Sequence, residues 1–376
     1  MQKALLIDIS PPQITSDEDL AERKYELQSL VRTYGKFTIS DIWIRKAEPN
    51  LKLFLRKGLL DEAINYCKEH KIDQIILGNI LKPRQIWELS ELLREQEVIV
   101  WDRVDCILQI FSLHAHSSEA KLQIRLAKIR HMGPRIFGMG DELSRQGGGG
   151  NTTRGQGETN TEIMKRHLRK EAQNIEKKLE KVRRTKSLHR QNRKRQGKET
   201  VALVGYTNSG KSTIMNRVSK KGVEVKDALF QTLDTRIGKM FLPKTYREIF
   251  ISDTIGFISD LPPQLIAAFQ STLSESMHAD LLLHVVDVSD NRWEEKIEIV
   301  DDILEQLKIS DKEQILVFNK IDLASKRFGK IKITQKYADR NPIFISAYEN
   351  INCDDLRNII DKKLPIGHFD KRPCYS

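Results

Sequence analysis

The sequence predicts an α/β protein in three parts: a small N-terminal α/β domain, an antiparallel helical hairpin, and a C-terminal domain on a mostly parallel sheet. Three observations carry that prediction. Strand-like apolar runs alternate with helical patterns before residue 103 and again after residue 199, the order that builds parallel sheets through helical crossovers. Between them, two stretches of helical spacing flank a glycine-rich gap.

In residues 1–103 the runs at 4–9, 37–45, 74–77 and 98–102 have strand composition, while 18–34, 61–70 and 83–95 carry helical spacing. No phosphate loop or catalytic constellation falls there, so the region reads as a scaffold or docking domain. Residues 104–198 form the expected hairpin. Its outgoing arm, a helix over 104–132, carries Leu122, Leu126 and Ile129 on one face, and its returning arm repeats Leu168, Ala172, Ile175, Leu179 and Val182 at 4-3-4-3 spacing. The glycines at 147–150, 155 and 157 lose too much backbone entropy in a helix and should form a loop at the hairpin tip. In residues 199–367, runs at 200–204, 248–252, 279–286, 314–318 and 342–346 alternate with helices, the last over 353–364. That order places ligands at the carboxyl ends of the strands. A short tail, 368–376, follows.

The 376 residues are 39% hydrophobic and 31% charged, which suits folded domains and excludes wholesale disorder. No apolar run approaches the roughly 20 residues of a membrane span, and residues 1–10 read as a strand and not as a secretion signal. The scattered Cys67, Cys106, Cys353 and Cys374 have no metal-ligand or paired spacing, so reduced thiols are expected in a cytoplasmic, monomeric protein.

Charge is concentrated in one place. Between Glu162 and Lys198 fifteen Lys/Arg face four Asp/Glu, an excess that matches the formal +11 of the whole chain. The apolar stripe of the returning arm is core; the opposite face, with Lys177, Lys178, Lys181, Arg183 and Arg184, is a candidate surface for nucleic-acid phosphate. A merely solvated charged helix is the plainer alternative.

Directly after the 200–204 run comes Gly205-Tyr206-Thr207-Asn208-Ser209-Gly210-Lys211-Ser212, followed by Thr213, which has the spacing of a P-loop. Its glycines let successive N–H groups of Asn208, Ser209 and Gly210 point at phosphate oxygens, and the following helix adds its positive end. Lys211 is expected to bridge the outer phosphates and Ser212 to ligate Mg²⁺.

The base is specified farther on, by Asn319-Lys320-Ile321-Asp322 at the end of the 314–318 run. A carboxylate such as Asp322 accepts from both the ring N–H and the exocyclic amine of guanine, an array adenine does not offer. Ser346-Ala347 follow the last strand, where the Ala347 N–H meets the guanine carbonyl. GTP and GDP are therefore the expected ligands.

Between these segments, Asp253-Thr254-Ile255-Gly256 follows the 248–252 run, with Asp253 placed to hold Mg²⁺ through a water and the Gly256 N–H to contact the γ-phosphate. Thr232, with Thr235 as its rival, is the candidate switch threonine for the metal. Lys211, Thr232 and Gly256 together make the expected catalytic set. Ras-like GTPases commonly place a water-orienting Gln after the switch glycine; here Phe257 stands there and cannot hydrogen-bond a water, so slow intrinsic hydrolysis is expected. Arg154 in the glycine-rich loop is a remote candidate for supplying charge in cis.

Taken together, these motifs resemble the HflX family of ribosome-associated GTPases, within the Obg-HflX superfamily, over nearly the whole chain. The likeness rests on Arg154-Gly155-Gln156-Gly157-Glu158-Thr159, the P-loop, Phe230 to Asp234, and above all Asp253-Thr254-Ile255-Gly256-Phe257-Ile258 with Leu261-Pro262, Ala268-Phe269, Thr272-Leu273 and the run from Ala279 to Asp287. The resemblance implies a P-loop GTPase that binds the large ribosomal subunit, is stimulated by it, and splits or rescues stalled or idle ribosomes. The departures are specific. Thr235 stands where the family often has proline after Thr-Leu-Asp, Gln156 and Asn160 replace a proline and a glutamine of the glycine-rich loop, and no length remains for the extra C-terminal domain of some members. The alternative reading is a regulatory GTP switch that binds a protein or a non-ribosomal RNA.

Overall fold

The computed structural model describes residues 1–12, 16–146, 160–219, 229–230, 236–259, 262, 265, 270–324 and 329–364. The chain divides into two compact units, Met1–Leu179 with Pro262–Ala268, and Glu180–Leu261 with Phe269–Ser376.

The first unit opens with β1 (Gln2–Ser10), α1 (Asp17–Tyr34) and β2 (Phe37–Lys46). Ser16 and Asp19 close a reciprocal capping box at the start of α1, and Gly35, at φ 72°, ends it in the left-handed conformation. There follow α2 (Lys57–His70), β3 (Gln74–Leu77), α3 (Pro83–Leu92) and β4 (Ile99–Trp101). The four strands pair in parallel in the order β2-β1-β3-β4. Every residue of β3, and all but the first two of β1, is buried, because helices cover both faces of the sheet.

The single helix expected over 104–132 is in fact two, α4 (Arg103–His114) and α5 (Ser118–Gln146). Ala115 adopts an extended conformation, and the Ser117 hydroxyl accepts from the Ala120 N–H at 3.0 Å to begin the second helix. A sequence with helical spacing on both sides of the break hides a cap supplied by a single serine. α4 itself is buried from Arg103 to Leu108, capped by Asp102 and packed on α1 and the sheet. α5 and α6 (Asn160–Arg195) then form the antiparallel pair. Leu126, Ile129, Ile175 and Leu179 make its core with Leu122, Leu168 and Ala172 alongside, and the pairs Arg125–Glu171 (2.7 Å) and Arg130–Glu176 (2.9 Å) flank it. The glycine-rich stretch 147–157 and Arg154 lie outside the described residues.

The second unit carries β5 (Thr200–Gly205), α7 (Lys211–Val218), β6 (Arg236–Leu242), β7 (Arg247–Asp253), α8 (Gln270–His278), β8 (Leu281–Asp287), α9 (Trp293–Gln306), β9 (Gln314–Asn319), α10 (Lys330–Lys336), β10 (Ile343–Phe344) and α11 (Cys353–Lys363). Its sheet runs β10-β9-β8-β5-β7-β6, parallel except for β6. The sequence did not announce β6, since Gly238 interrupts a short alternation whose buried members are Gly238, Met240 and Leu242. It forms because β7 offers an open edge across a tight hairpin. Val201, Leu203, Ile249, Ile251, Leu281, Leu283 and Ile315 fill the core on one face.

Cys67, Cys106 and Cys353 are buried and free, and burial pushes the Cys67 and Cys106 thiols up to about 11 and about 12, so both stay protonated and inert. No helix among the described residues is long and apolar enough to cross a membrane.

A partly buried polar cluster around buried His284 ties β8 to the helix layer. Arg340 donates to the Nδ1 of His284 (2.9 Å) and to both oxygens of Asp301 (2.7 and 2.9 Å). An arginine donor at Nδ1 requires that nitrogen to be an acceptor, so the ring is neutral. Burial lowers the His284 pKa more than Asp301 raises it, and Arg340 and Lys211 lower it further. A histidine whose folded-state pKa lies below its usual 6.5 favours the native state above that pH and disfavours it as the unfolded chain takes up a proton below it. The urea midpoint is therefore expected to fall between pH 7 and 5.5, and to fall less in His284→Gln.

Candidate nucleotide site

The parallel order of β5, β8, β9 and β10 carries four separate stretches of sequence to one end of the sheet, where each strand's carboxyl end opens into a loop. The P-loop leaves β5 with Gly205 at φ 149°, Asn208 at 62° and Gly210 at 93°, the last two left-handed so that the backbone curls before α7 begins at Lys211. At Gly210 no side chain fits, because a Cβ would lie 2.2 Å from the Asn319 amide nitrogen.

Lys211 is buried and donates to the carbonyls of Gly205 (3.1 Å) and Tyr206 (2.8 Å). Burial pushes its ammonium down to about 8, against the attraction of Asp253 and with a smaller repulsion from Lys320. An anion in the P-loop would restore the full charge. The Ser212 hydroxyl donates to Asp253 Oδ2 at 2.6 Å, bringing two hard oxygen donors together, and Thr213 is half-buried in the same turn. This donor set fits Mg²⁺, which takes oxygen ligands and keeps several waters.

Asp253-Thr254-Ile255-Gly256 leaves the end of β7 wholly buried, with Thr254 Oγ1 donating to the Leu203 carbonyl at 2.7 Å. The segment lies directly on the P-loop. A Cβ on Gly256 would lie 2.7 Å from Thr207 Cα and 3.1 Å from Lys211 Nζ, so only glycine allows the approach. The Thr207 N–H donates to the Phe257 carbonyl (2.6 Å) and the Phe257 N–H to the Gly205 carbonyl (3.1 Å). The Phe257 side chain is 0% exposed.

The guanine-reading candidates converge through one amide. Asn319 donates from Nδ2 to the Ser209 carbonyl (2.9 Å) and accepts at Oδ1 from the Ala347 N–H (3.0 Å), joining the P-loop to the loop after β10. Lys320, at φ 63°, pairs with Asp287 at 2.6 Å. Asp322 is exposed at the rim, whereas Ser346 and Ala347 are buried, with Ser346 Oγ accepting from the Glu349 N–H. Thr232 and Thr235 lie outside the described residues.

The spacing of motifs missed several contacts. Tyr206 OH lies 2.6 Å from Ser259 Oγ and accepts from the Ser259 N–H (2.9 Å), while Lys296 sits 5.0 Å from the Tyr206 ring centre. Thr207 Oγ1 accepts from the Phe230 N–H at 2.9 Å. Two of the four variable P-loop positions thus hold neighbouring segments. Arg190 and Arg193, at the end of the basic helix, close on buried Glu275 of α8 at 3.4 and 2.8 Å. No periodicity marks such long-range partners. Along α6, Lys177, Lys178, Lys181 and Arg184 are exposed, Arg184 pairing with Glu180 at 3.2 Å, and Arg183 is half-buried.

Asn319→Ala removes both bonds that join the loops. Amide hydrogen exchange at Ala347 is expected to quicken about 5- to 10-fold, the worth of one hydrogen bond of roughly 1 kcal/mol. The β5 amides should be unaffected.

Three family profiles match the chain in series: "GTP-binding GTPase N-terminal" over residues 21–112, "GTP-binding GTPase Middle Region" over 114–193, and "50S ribosome-binding GTPase" over 200–320. The GTPase HflX of Caldanaerobacter subterraneus is 39% identical over 96% of this chain and 81% of its own length. The Escherichia coli GTPase HflX is 37% identical over 96% and 83%, and that of Methanocaldococcus jannaschii 37% over 94% and 84%. A solved structure described as the SsGBP and GDP complex superposes with a TM-score of 0.53 at 26% identity, covering 96% of this chain and 98% of that one. The P-loop on β5, the segments gathered around it and this continuous likeness lead to one conclusion: the chain belongs to the HflX family of GTPases and hydrolyses GTP.

Proposed function

We propose that this GTPase binds the large ribosomal subunit and uses GTP to split or rescue stalled or idle ribosomes. The observation that carries the reading is Phe257. A hydrolytic site whose switch residue is locked in the core has no side chain there to order water, so a partner must complete it. The exposed cations of α6 suit ribosomal RNA as that partner, and the matched profile is named for binding the 50S subunit.

In this reading the N–H groups of Asn208, Ser209 and Gly210 and the Lys211 ammonium neutralise the phosphates, and Asp322 and the Ala347 N–H read guanine. Gly256 turns its N–H toward the γ-phosphate, and loss of that phosphate frees the segment that follows. Ser212, Asp253 through a water, and Thr232 would hold Mg²⁺, which would neutralise charge between the outer phosphates. The N-terminal domain, residues 1–103, and the hairpin, 104–198, serve as the RNA-gripping parts, the GTPase domain, 199–367, as the switch, and the protein acts as a cytoplasmic monomer. A GTP switch acting on a protein or on non-ribosomal RNA is the rival.

Purified large subunits are expected to accelerate phosphate release, and the GTP-loaded protein to shift intact ribosomes toward free subunits in a gradient; failure of both removes the splitting role. Neutralising Lys177, Lys178, Lys181, Arg183 and Arg184 together should weaken subunit binding and flatten its dependence on salt, and an unchanged slope favours the rival. Asp322→Asn is expected to weaken GTP binding about a hundredfold or more and to favour xanthosine triphosphate, whose 2-oxo group accepts where the guanine amine donates. Lys211→Ala should abolish GTP-dependent behaviour.

A further inference from the structure

The helix α7 bonds to parts of the nucleotide site at both of its ends. Its first turn carries Lys211 and Ser212, and its last turn carries Arg217, about 9 Å farther along the axis. Arg217 donates from Nε to the Ala347 carbonyl at 2.8 Å and from Nη2 to the Tyr348 carbonyl. Its own backbone carbonyl accepts from Nη2 of Arg357 in α11 at 2.8 Å, which fastens the end of α7 as well. From another element, Asn319 Oδ1 accepts from the Ala347 N–H at 3.0 Å. Both peptide groups of Ala347 are therefore held by side chains outside its own loop. The loop closes behind it, where Ser346 and Ile351 exchange two backbone hydrogen bonds at 3.1 and 2.9 Å. The P-loop motif ends at Ser212 and places no requirement on position 217, and Arg217 is exposed, outside the core that α7 packs against.

A backbone N–H reads a carbonyl only within a narrow range of distance and angle, and the bond weakens steeply once the donor turns away. Ala347 has only a methyl group and cannot anchor itself by its side chain, so the direction of its N–H is set by what holds the neighbouring peptides. A guanidinium bonded to two successive carbonyls fixes both, because its donors lie in one rigid plane. We propose that Arg217 is a positioning residue for guanine recognition: by holding the Ala347 and Tyr348 carbonyls it aims the Ala347 N–H at the 6-oxo group of the base. The inference rests on the guanine site described under the proposed function. It adds to that site a residue of α7 that acts on the base through the backbone of another loop.

Equilibrium titration of the full chain with three magnesium-bound nucleotides tests the role. These are GDP; IDP, which keeps the 6-oxo group and lacks the 2-amino group; and 2-aminopurine riboside diphosphate, which keeps the 2-amino group and lacks the 6-oxo group. Arg217→Met, which retains the stem without the donors, should raise the Kd for GDP and IDP by the same factor, about 3- to 10-fold for one misaligned hydrogen bond, and leave the 2-aminopurine nucleotide within about twofold of wild type. In turnover of GTP the same variant should raise KM and leave kcat unchanged, since its phosphate contacts are intact. Arg217→Lys, with one ammonium in place of the fork, should fall between Met and wild type. Asp322→Asn, by contrast, should change the GDP/IDP ratio. An equal loss for all three nucleotides in Arg217→Met, or no loss for any, overturns the positioning role, and so does a lower kcat at unchanged KM. Failure of the wild-type chain to prefer GDP over the 2-aminopurine nucleotide would instead overturn the guanine site itself.

Discussion

The second unit depends on one buried amide. Asn319 spends its donor on the P-loop at Ser209 and its acceptor on the base loop at Ala347, at 2.9 and 3.0 Å. Neither loop has regular secondary structure to hold it against the other, so this side chain fixes the spacing between the P-loop and the loop after β10. Gly210 exists in the form it does because that amide occupies the volume a Cβ would need. The left-handed turn that starts α7, the P-loop and the loop after β10 thus share a single contact that is polar and buried.

Around that contact the P-loop is closed on both flanks. Phe257 exchanges backbone hydrogen bonds with Gly205 and Thr207, Tyr206 pairs with Ser259, and Thr207 receives the Phe230 amide. A loop whose own carbonyls and side chains are bonded to neighbouring segments senses their position. Burial of Phe257 belongs to the same arrangement. Its ring packs the segment onto the core, at the cost of the water-orienting group that a polar residue would have supplied.

The basic helix α6 joins both parts of the chain by simple continuity, with its core-facing stripe in the first unit and its last turns in the second. Those last turns are anchored by a buried carboxylate, Glu275, which takes two arginines and leaves neither charge unpaired. The outward face carries the cations that the charge count singles out.

The P-loop spacing, the Asn319 to Asp322 run, the segment at Asp253 and the missing glutamine at 257 were legible in one dimension, because each is a local requirement of residue type at fixed separation. So were the alternation of strands and helices and the stripe of the hairpin, which follow from periodicity. What the sequence did not disclose was decided between residues far apart in the chain. The β6 strand exists only because β7 has a free edge, the break before Ser118 only because one serine caps a helix, and the roles of Arg217, Tyr206 and Glu275 only because folding brings their partners within 3.5 Å. Backbone chemistry and side-chain period act over a few residues and are written in order along the chain. Long-range polar pairing depends on distances that arise only once the sheet has closed, and only the tertiary structure sets them.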